Sequence, residues 1–201
     1  MKRVLKATYF LGLLAQISIR APHERRHRQT RVDVDRADGL ERALIGVLFL
    51  GVLFVPLAYA LTPWLDRADY RLPPAAERRL GGAGAVILLL ALWLFWRSHA
   101  DLGSNWSPSL QLRDEHALVT GGVYQHVRHP MYASQWLWSI AQALLLQNRI
   151  AGPAGAASFL PLYALRVPRE ERMMLERFGD EYRAYMRRTG RVVPGLRRGG
   201  A

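Results

Sequence analysis

Residues 43–65 read ALIGVLFLGVLFVPLAYALTPWL. The run carries no charge and exceeds the ~20 residues that take a helix across a bilayer. Its Gly46, Gly51 and Pro56 do not argue against a helix, because membrane helices tolerate such residues and use small ones for close packing. The stretch therefore predicts a transmembrane helix. Four further apolar segments make the chain all-α: a polytopic membrane protein with about five transmembrane helices and its C-terminal region on the cytoplasmic face.

The first of those segments is residues 4–19, apolar apart from Lys6 and Gln16, with Lys2 and Arg3 ahead of it. It resembles a signal peptide without the small-residue cleavage pattern, so an uncleaved first membrane helix is expected. Residues 20–42 follow as a polar, arginine-rich loop. Residues 80–96 form the third span, with Trp93 and Trp96 as interfacial anchors. Gly81, Gly82 and Gly84 at its start have no preceding strand, so they predict helix packing rather than a phosphate-cradling loop. Residues 131–147 and 152–165, joined by the short turn Asn148-Arg149, predict an antiparallel helical hairpin. Pro168 is expected to kink or restart the last helix. Residues 169–188 carry an apolar stripe (Met173, Met174, Phe178, Tyr182, Tyr185) against a basic face, as a helix lying on the membrane does. Gly195 onward reads as a disordered basic tail. The division is residues 1–96, three membrane helices and a basic loop, and residues 97–201, the catalytic half.

The formal net charge is +12. Beside apolar spans, such charge points to anionic membrane lipids as partners rather than nucleic acid. Arginine is concentrated in residues 20–42, 97–128 and 166–198, which places those stretches in the cytoplasm. Five spans then put the N-terminus outside and the C-terminus inside, as in a bacterial inner membrane. The chain has no cysteine, so it has neither disulfides nor thiolate metal sites. His23-Glu24-Arg25-Arg26-His27 fits the pattern by which two histidines one helical turn apart hold zinc. Arginines fill and surround it and oppose a divalent cation, so no metal is expected.

The chemistry is concentrated at residues 121–132, Gly-Gly-Val-Tyr-Gln-His-Val-Arg-His-Pro-Met-Tyr. A second polar cluster, Arg166 with Glu170 and Glu171, follows the hairpin, and a tight hairpin brings the two together. Tyr132, Gln135, Ser139 and Gln142 are spaced to share one helical face. That seam is read in two ways, as hydrogen bonding between helices or as one wall of a polar cavity.

In this order, His116-Ala117-Leu118-Val119, Gly122-Val123-Tyr124, Arg128-His129-Pro130-Met131-Tyr132, Arg166 with Glu170-Glu171, and Phe178-Gly179-Asp180-Glu181-Tyr182 resemble the isoprenylcysteine carboxyl methyltransferase family. The resemblance covers roughly residues 102–194 and implies a membrane-embedded enzyme that uses S-adenosyl-L-methionine without a Rossmann domain. It implies cofactor contacts from Gln111, His116, Ala117, Leu118, Val119, Tyr124, His129, Pro130, Met131, Tyr132 and Glu170. It assigns Arg166 to the carboxylate of a lipophilic substrate drawn from the bilayer. The residue types suit these roles: Glu170 accepts from an ammonium or hydroxyls, His129 and Arg128 donate to a carboxylate, and Tyr124 and Tyr132 offer rings to a sulfonium or an adenine. Three other functions share parts of this pattern. A methyltransferase of the same fold acting on a phospholipid amine or small thiol would need a base, for which His116 or His126 is placed. A sterol-type reductase would use NADPH and carry more helices. A scaffold would bind no cofactor.

Overall fold

The structure, a computed structural model, describes residues 1–28, 34–35, 39–103, 111–112 and 117–195, with side chains for 1–25, 39–103 and 117–195. The expected basic tail from residue 196 onward lies outside the described residues. Among the described residues the fold is all-α apart from a two-residue antiparallel ladder pairing β1 (Val34–Asp35) with β2 (Gln111–Leu112). The helices are α1 (Lys2–Arg28), α2 (Gly39–Phe49), α3 (Val55–Leu61), α4 (Pro74–Leu102), α5 (Pro130–Leu146) and α6 (Ala154–Arg188).

The first expected span is longer than predicted. α1 continues through Pro22 to Arg28, so the front of the arginine-rich stretch is helix rather than loop. Arginine, alanine and glutamate all favour helix, and Arg20 pairs with Glu24 one turn on at 3.8 Å.

α2 and α3 are halves of one rod, Gly39–Leu61, joined by a π-helical turn at Leu50–Phe54. Within the turn the Val55 N–H reaches back to the Leu50 carbonyl, leaving the Gly51 carbonyl without its usual helical donor. Pro56 has no N–H for the Val52 carbonyl. Two buried side chains take these acceptors: Gln142 Nε2 donates to Gly51 at 2.9 Å, and the Tyr9 hydroxyl donates to Val52 at 2.5 Å. Gln142 Nε2 also donates to the Ala151 carbonyl at 2.8 Å, and Trp138 Nε1 lies 3.4 Å from the Tyr9 hydroxyl. Three helices and the hairpin turn thus meet at one polar point inside an apolar core that includes Leu5, Leu88, Trp138 and Leu145. At Gly51 the rod comes so close to α6 that a Cβ would stand 2.3 Å from the Ala154 carbonyl.

α4 packs along α5, and α1 lies across both. Gly81 faces Leu5 and Gly84 faces Leu145, the small-residue packing expected of that run. The rod Gly39–Leu61 and α4 are each long and apolar enough to cross a membrane. Their outward faces carry Leu50, Phe54, Leu89 and Trp93, all more than half exposed, as suits helices whose solvent is lipid.

α5 and α6 form the expected hairpin, turned by Gln147 in the left-handed region (φ 49°). The helix does not restart at Pro168: α6 continues through Pro161 and Pro168, and its one non-helical residue is Gly179 (φ 50°, ψ −121°). That backbone conformation is open to glycine and strained for residues with a Cβ. Because the helix persists across Pro168, Arg166 and Glu170 stay one turn apart on one face.

Candidate active site

The loop ahead of α5 is anchored at both ends. Asp101, on the last turn of α4, accepts the Val123 N–H at 2.9 Å and pairs with Arg97 at 2.6 Å. The buried Tyr124 hydroxyl donates to the Ser98 carbonyl at 3.3 Å, and the Tyr124 carbonyl accepts from the Tyr185 hydroxyl at 2.6 Å. At the other end the N–H groups of Arg128 and His129 donate to the carbonyls of Gly190 and Arg191 at 2.8 and 2.9 Å. Pro130 then opens α5, where its missing N–H costs nothing.

Two adjacent glutamates on α6 gather the polar side chains. Glu170 accepts from the Tyr132 hydroxyl at 2.5 Å, lies 3.3 Å from Arg166 Nη2 and stands 3.6 Å from His129 Nδ1. Arg166 is also faced by Glu41, from the first turn of α2, at 3.5 Å from its Nε. Glu171 points to the other side of His129, 3.3 Å from Nε2. It accepts from Arg128 Nη2 at 3.0 Å and from Arg191 Nη2 at 2.6 Å. Arg128 also donates to the Met186 carbonyl at 3.2 Å and to the Thr189 carbonyl.

Protonation follows from this arrangement. Burial pushes the Glu171 carboxyl up, but His129, Arg191 and Arg128 outweigh it and hold it down at about 2. Burial likewise opposes charge on Glu170, and His129, Arg166 and Tyr132 keep it below the usual carboxylate range. Burial disfavours an imidazolium at His129, while the carboxylates facing its two nitrogens raise its pKa above the ordinary value.

A cavity of about 720 Å³ opens beside these groups. Its polar end is lined by His129, Tyr132, Arg166 and Glu170, with Tyr124, Tyr182 and Tyr185 as aromatic walls. Ala117, Leu118, Val119, Pro130 and Met131 complete that end. Toward the bundle the lining is mostly apolar, with Ile17 of α1, Ile45 and Leu48 of α2, and Phe159 and Leu162 of α6, interrupted by Gln16, Arg20 and Glu24 of α1 and His99 of α4. Every predicted site residue whose side chain is described therefore meets at one cavity. The Gln111 side chain and His116 lie outside the described residues, although the Gln111 backbone pairs with Asp35.

The seam on α5 divides between its two readings. Tyr132 and Gln135 line the cavity. Ser139 turns back to the Gln135 carbonyl at 2.9 Å, and Gln142 serves the helix packing described above. Arg128, expected to donate to a bound carboxylate, is committed to Glu171 and the backbone of residues 186–189. Within the zinc-like pattern, the His23 ring lies 5.0 Å from the His99 ring, and the His27 side chain is outside the described residues.

Sequence reasoning missed Glu41 and Arg191. Glu41 is wholly buried yet sits in the stretch read as a solvated loop. The signal available was an acid placed directly at the mouth of a charge-free span. Arg191 sits in a short basic stretch whose spacing gives no hint that the chain turns back on itself.

The profile of the Isoprenylcysteine carboxyl methyltransferase (ICMT) family matches residues 84–176. The chain is 33% identical over 153 residues to protein-S-isoprenylcysteine O-methyltransferase A of Arabidopsis thaliana, covering 72% of this chain and 78% of that one. It is 32% identical over 129 residues to protein-S-isoprenylcysteine O-methyltransferase of Dictyostelium discoideum, covering 63% of this chain and 54% of that one. Among solved structures it is similar to the eukaryotic intramembrane Ras methyltransferase ICMT, with a TM-score of 0.52 and 26% identity, over 81% of this chain and 54% of that one. The chain thus spans about half the length of the Dictyostelium relative and of the solved structure.

Proposed function

This chain belongs to the isoprenylcysteine carboxyl methyltransferase family, and from that premise we propose that it is an integral membrane methyltransferase. In this reading it uses S-adenosyl-L-methionine and methylates the carboxylate of a lipophilic, isoprenylcysteine-like acceptor. Five helices span the membrane, with residues 97–201 as the catalytic half. The N-terminus lies outside and the C-terminus in the cytoplasm, as in a bacterial inner membrane, with the basic face against anionic lipids.

One observation carries the proposal. A single cavity joins the cluster His129–Tyr132–Arg166–Glu170 to an apolar arm between α1, α2 and α6. Its size suits a small-molecule site, which commonly measures ~300–1,000 Å³. The donor set also fits the cofactor. Glu170 is a carboxylate suited to an ammonium or to ribose hydroxyls, the tyrosine rings suit a sulfonium or an adenine, and residues 117–119 offer backbone groups. Bound there, S-adenosyl-L-methionine supplies an activated methyl group.

The chain's own residues supply position. Tyr132 and His129 fix Glu170. Arg166, held from behind by Glu41, presents its guanidinium to the acceptor carboxylate. That acceptor is ionised at neutral pH, so no residue needs to remove a proton from it. The apolar arm houses the tail and excludes water, and catalysis is mainly alignment.

The test is methylation of a farnesylated cysteine analogue, compared with its amide and with a phospholipid amine. The free acid alone should turn over, and Arg166→Ala should lose that turnover while still binding S-adenosylhomocysteine. Equal turnover of the amide would remove the carboxylate from the mechanism. One observation favours the second reading, an amine or thiol acceptor: Arg166 already faces the carboxylates of Glu41 and Glu170.

A further inference from the structure

The stretch 189–191 lies beyond the family-matched residues 84–176, yet it builds the wall behind His129. After α6 the chain turns and runs parallel to residues 127–129, bridging Val127 to Gly190. Its carbonyls at Gly190 and Arg191 receive the N–H groups of Arg128 and His129. The Arg191 side chain reaches forward to Glu171, with Nη2 at 2.6 Å and Nε at 3.0 Å from Oε2, a two-point grip. Arg128 holds the other oxygen, Oε1, with Nε at 3.1 Å and Nη2 at 3.0 Å. The same Oε1 faces His129 Nε2.

This is more restraint than charge balance requires. Arg128 alone, itself buried, compensates one buried carboxylate. The second arginine comes from a surface segment, with its side chain about half exposed. What it adds is geometric. Two guanidinium forks on two oxygens leave the Glu171 carboxylate a single orientation. An imidazole ring rotates in a broad torsional well, so a fixed acceptor at one nitrogen decides where the other nitrogen and the ring edge point. Of this chain of contacts, Arg128 and His129 line the cavity, whereas Glu171 and Arg191 stand behind it.

We propose that Arg191 and Glu171 are positioning residues for the cofactor end of the cavity: Arg191 holds Glu171, Glu171 sets the His129 ring, and the strap 189–191 is a functional part of the site. The proposal rests on the S-adenosyl-L-methionine reading above. It distinguishes two groups within the polar end of the cavity, because Arg166, the acceptor residue, is held by Glu41 and Glu170 rather than by Glu171.

The experiment uses the full-length protein in lipid nanodiscs, with S-adenosylhomocysteine as the probe in calorimetry. Arg191→Ala should weaken binding about tenfold, and Glu171→Gln at least as much, since each loses a charge-assisted hydrogen bond. Arg191→Lys keeps the charge and loses the fork, so it should fall between Arg191→Ala and the parent. In steady-state assays the KM for the methyl donor should rise in Arg191→Ala, with the KM for a farnesylated cysteine analogue unchanged. A rise in both constants together would mean general loosening of the fold and would overturn the positioning role. Parent-like affinity in folded Arg191→Ala and Arg191→Lys would overturn it as well, leaving the cofactor reading intact. A parent that binds no S-adenosylhomocysteine would instead remove the cofactor reading, and this proposal with it. Because Arg191 is half exposed, its variants fold even if Glu171→Gln does not.

Discussion

Glu171 carries two arginines and a histidine on its two oxygens, and that sets its response to acid. Its folded-state pKa is lowered from 4.5 to about 2. A depressed carboxylate contributes stability that is fully present above its unfolded value and lost as pH falls through the folded one. The strap 189–191 should therefore loosen between pH 4.5 and about 2, seen as rising hydrogen exchange at the N–H groups of Arg128 and His129. In Glu171→Gln that window should vanish; a loss over the same range in this variant would assign the effect to other carboxylates. Glu41 makes the complementary case. A charge with no exposed surface is tolerable only when paired, and deleting one partner of a buried pair costs ~3–5 kcal/mol. Glu41→Ala should destabilise by about 3 kcal/mol in detergent unfolding, because it removes one of the two carboxylates that face the buried Arg166. The difference in legibility between the two partners is physical. Arg166 and Glu170 announce themselves by helical spacing within one segment. Glu41 reaches them only through the packing of α2 on α6, and at the edge of a basic stretch it reads as solvated.

Among elements, the rod Gly39–Leu61 shows how far pattern alone reaches. Its apolar run predicted a spanning helix, and the helix is there. The pattern held no sign of the π turn, because that turn depends on partners outside the rod. Pro56 frees one carbonyl and the turn frees another, and both are tolerable in an apolar core only because Tyr9 and Gln142 donate to them. Gln142→Leu keeps the volume and removes two donors. It should destabilise by about 2 kcal/mol through the unsatisfied Gly51 and Ala151 carbonyls, measured by thermal unfolding. Parent-like stability would mean that the turn does not depend on this side chain. The same contrast appears along α6. Pro168 is the strongest helix breaker in that stretch, yet packing carries the helix through it. The break falls at Gly179, where only a backbone torsion distinguishes the residue. The α5 seam was half legible for a related reason: spacing places four polar residues on one face but not what stands opposite each.

Across the whole molecule, sidedness ties fold to function. The polar end of the cavity lies near the ends of α4 and α6, at the start of α5 and beside the strap. The opposite end of the bundle is closed by a separate set of contacts: Lys2 with Asp69 at 2.5 Å, Asn148 Nδ2 with Asp69 at 2.9 Å, and Gln147 Nε2 with the Glu77 carbonyl at 2.9 Å. Arg20, Arg128 and Arg166, which line the cavity, come from the three arginine-rich stretches of the sequence, and the proposed cytoplasmic orientation rests on those stretches. Among the described residues, composition and length alone qualify two helices as spans; in the five-span proposal, α1, α5 and the first half of α6, shorter or more polar, would depend on their neighbours to cross. Because the chain has no cysteine, single substitutions report topology directly. Ala75→Cys, at the exposed start of α4, should react with a membrane-impermeant maleimide in intact cells. Glu181→Cys, exposed beyond Gly179 on α6, should react only after permeabilisation. The cofactor is made in the cytoplasm, so the inverse labelling pattern would put the cavity's polar end on the side that lacks it. The proposed methyl transfer would then have no donor within reach, whatever the geometry of His129, Arg166 and Glu170.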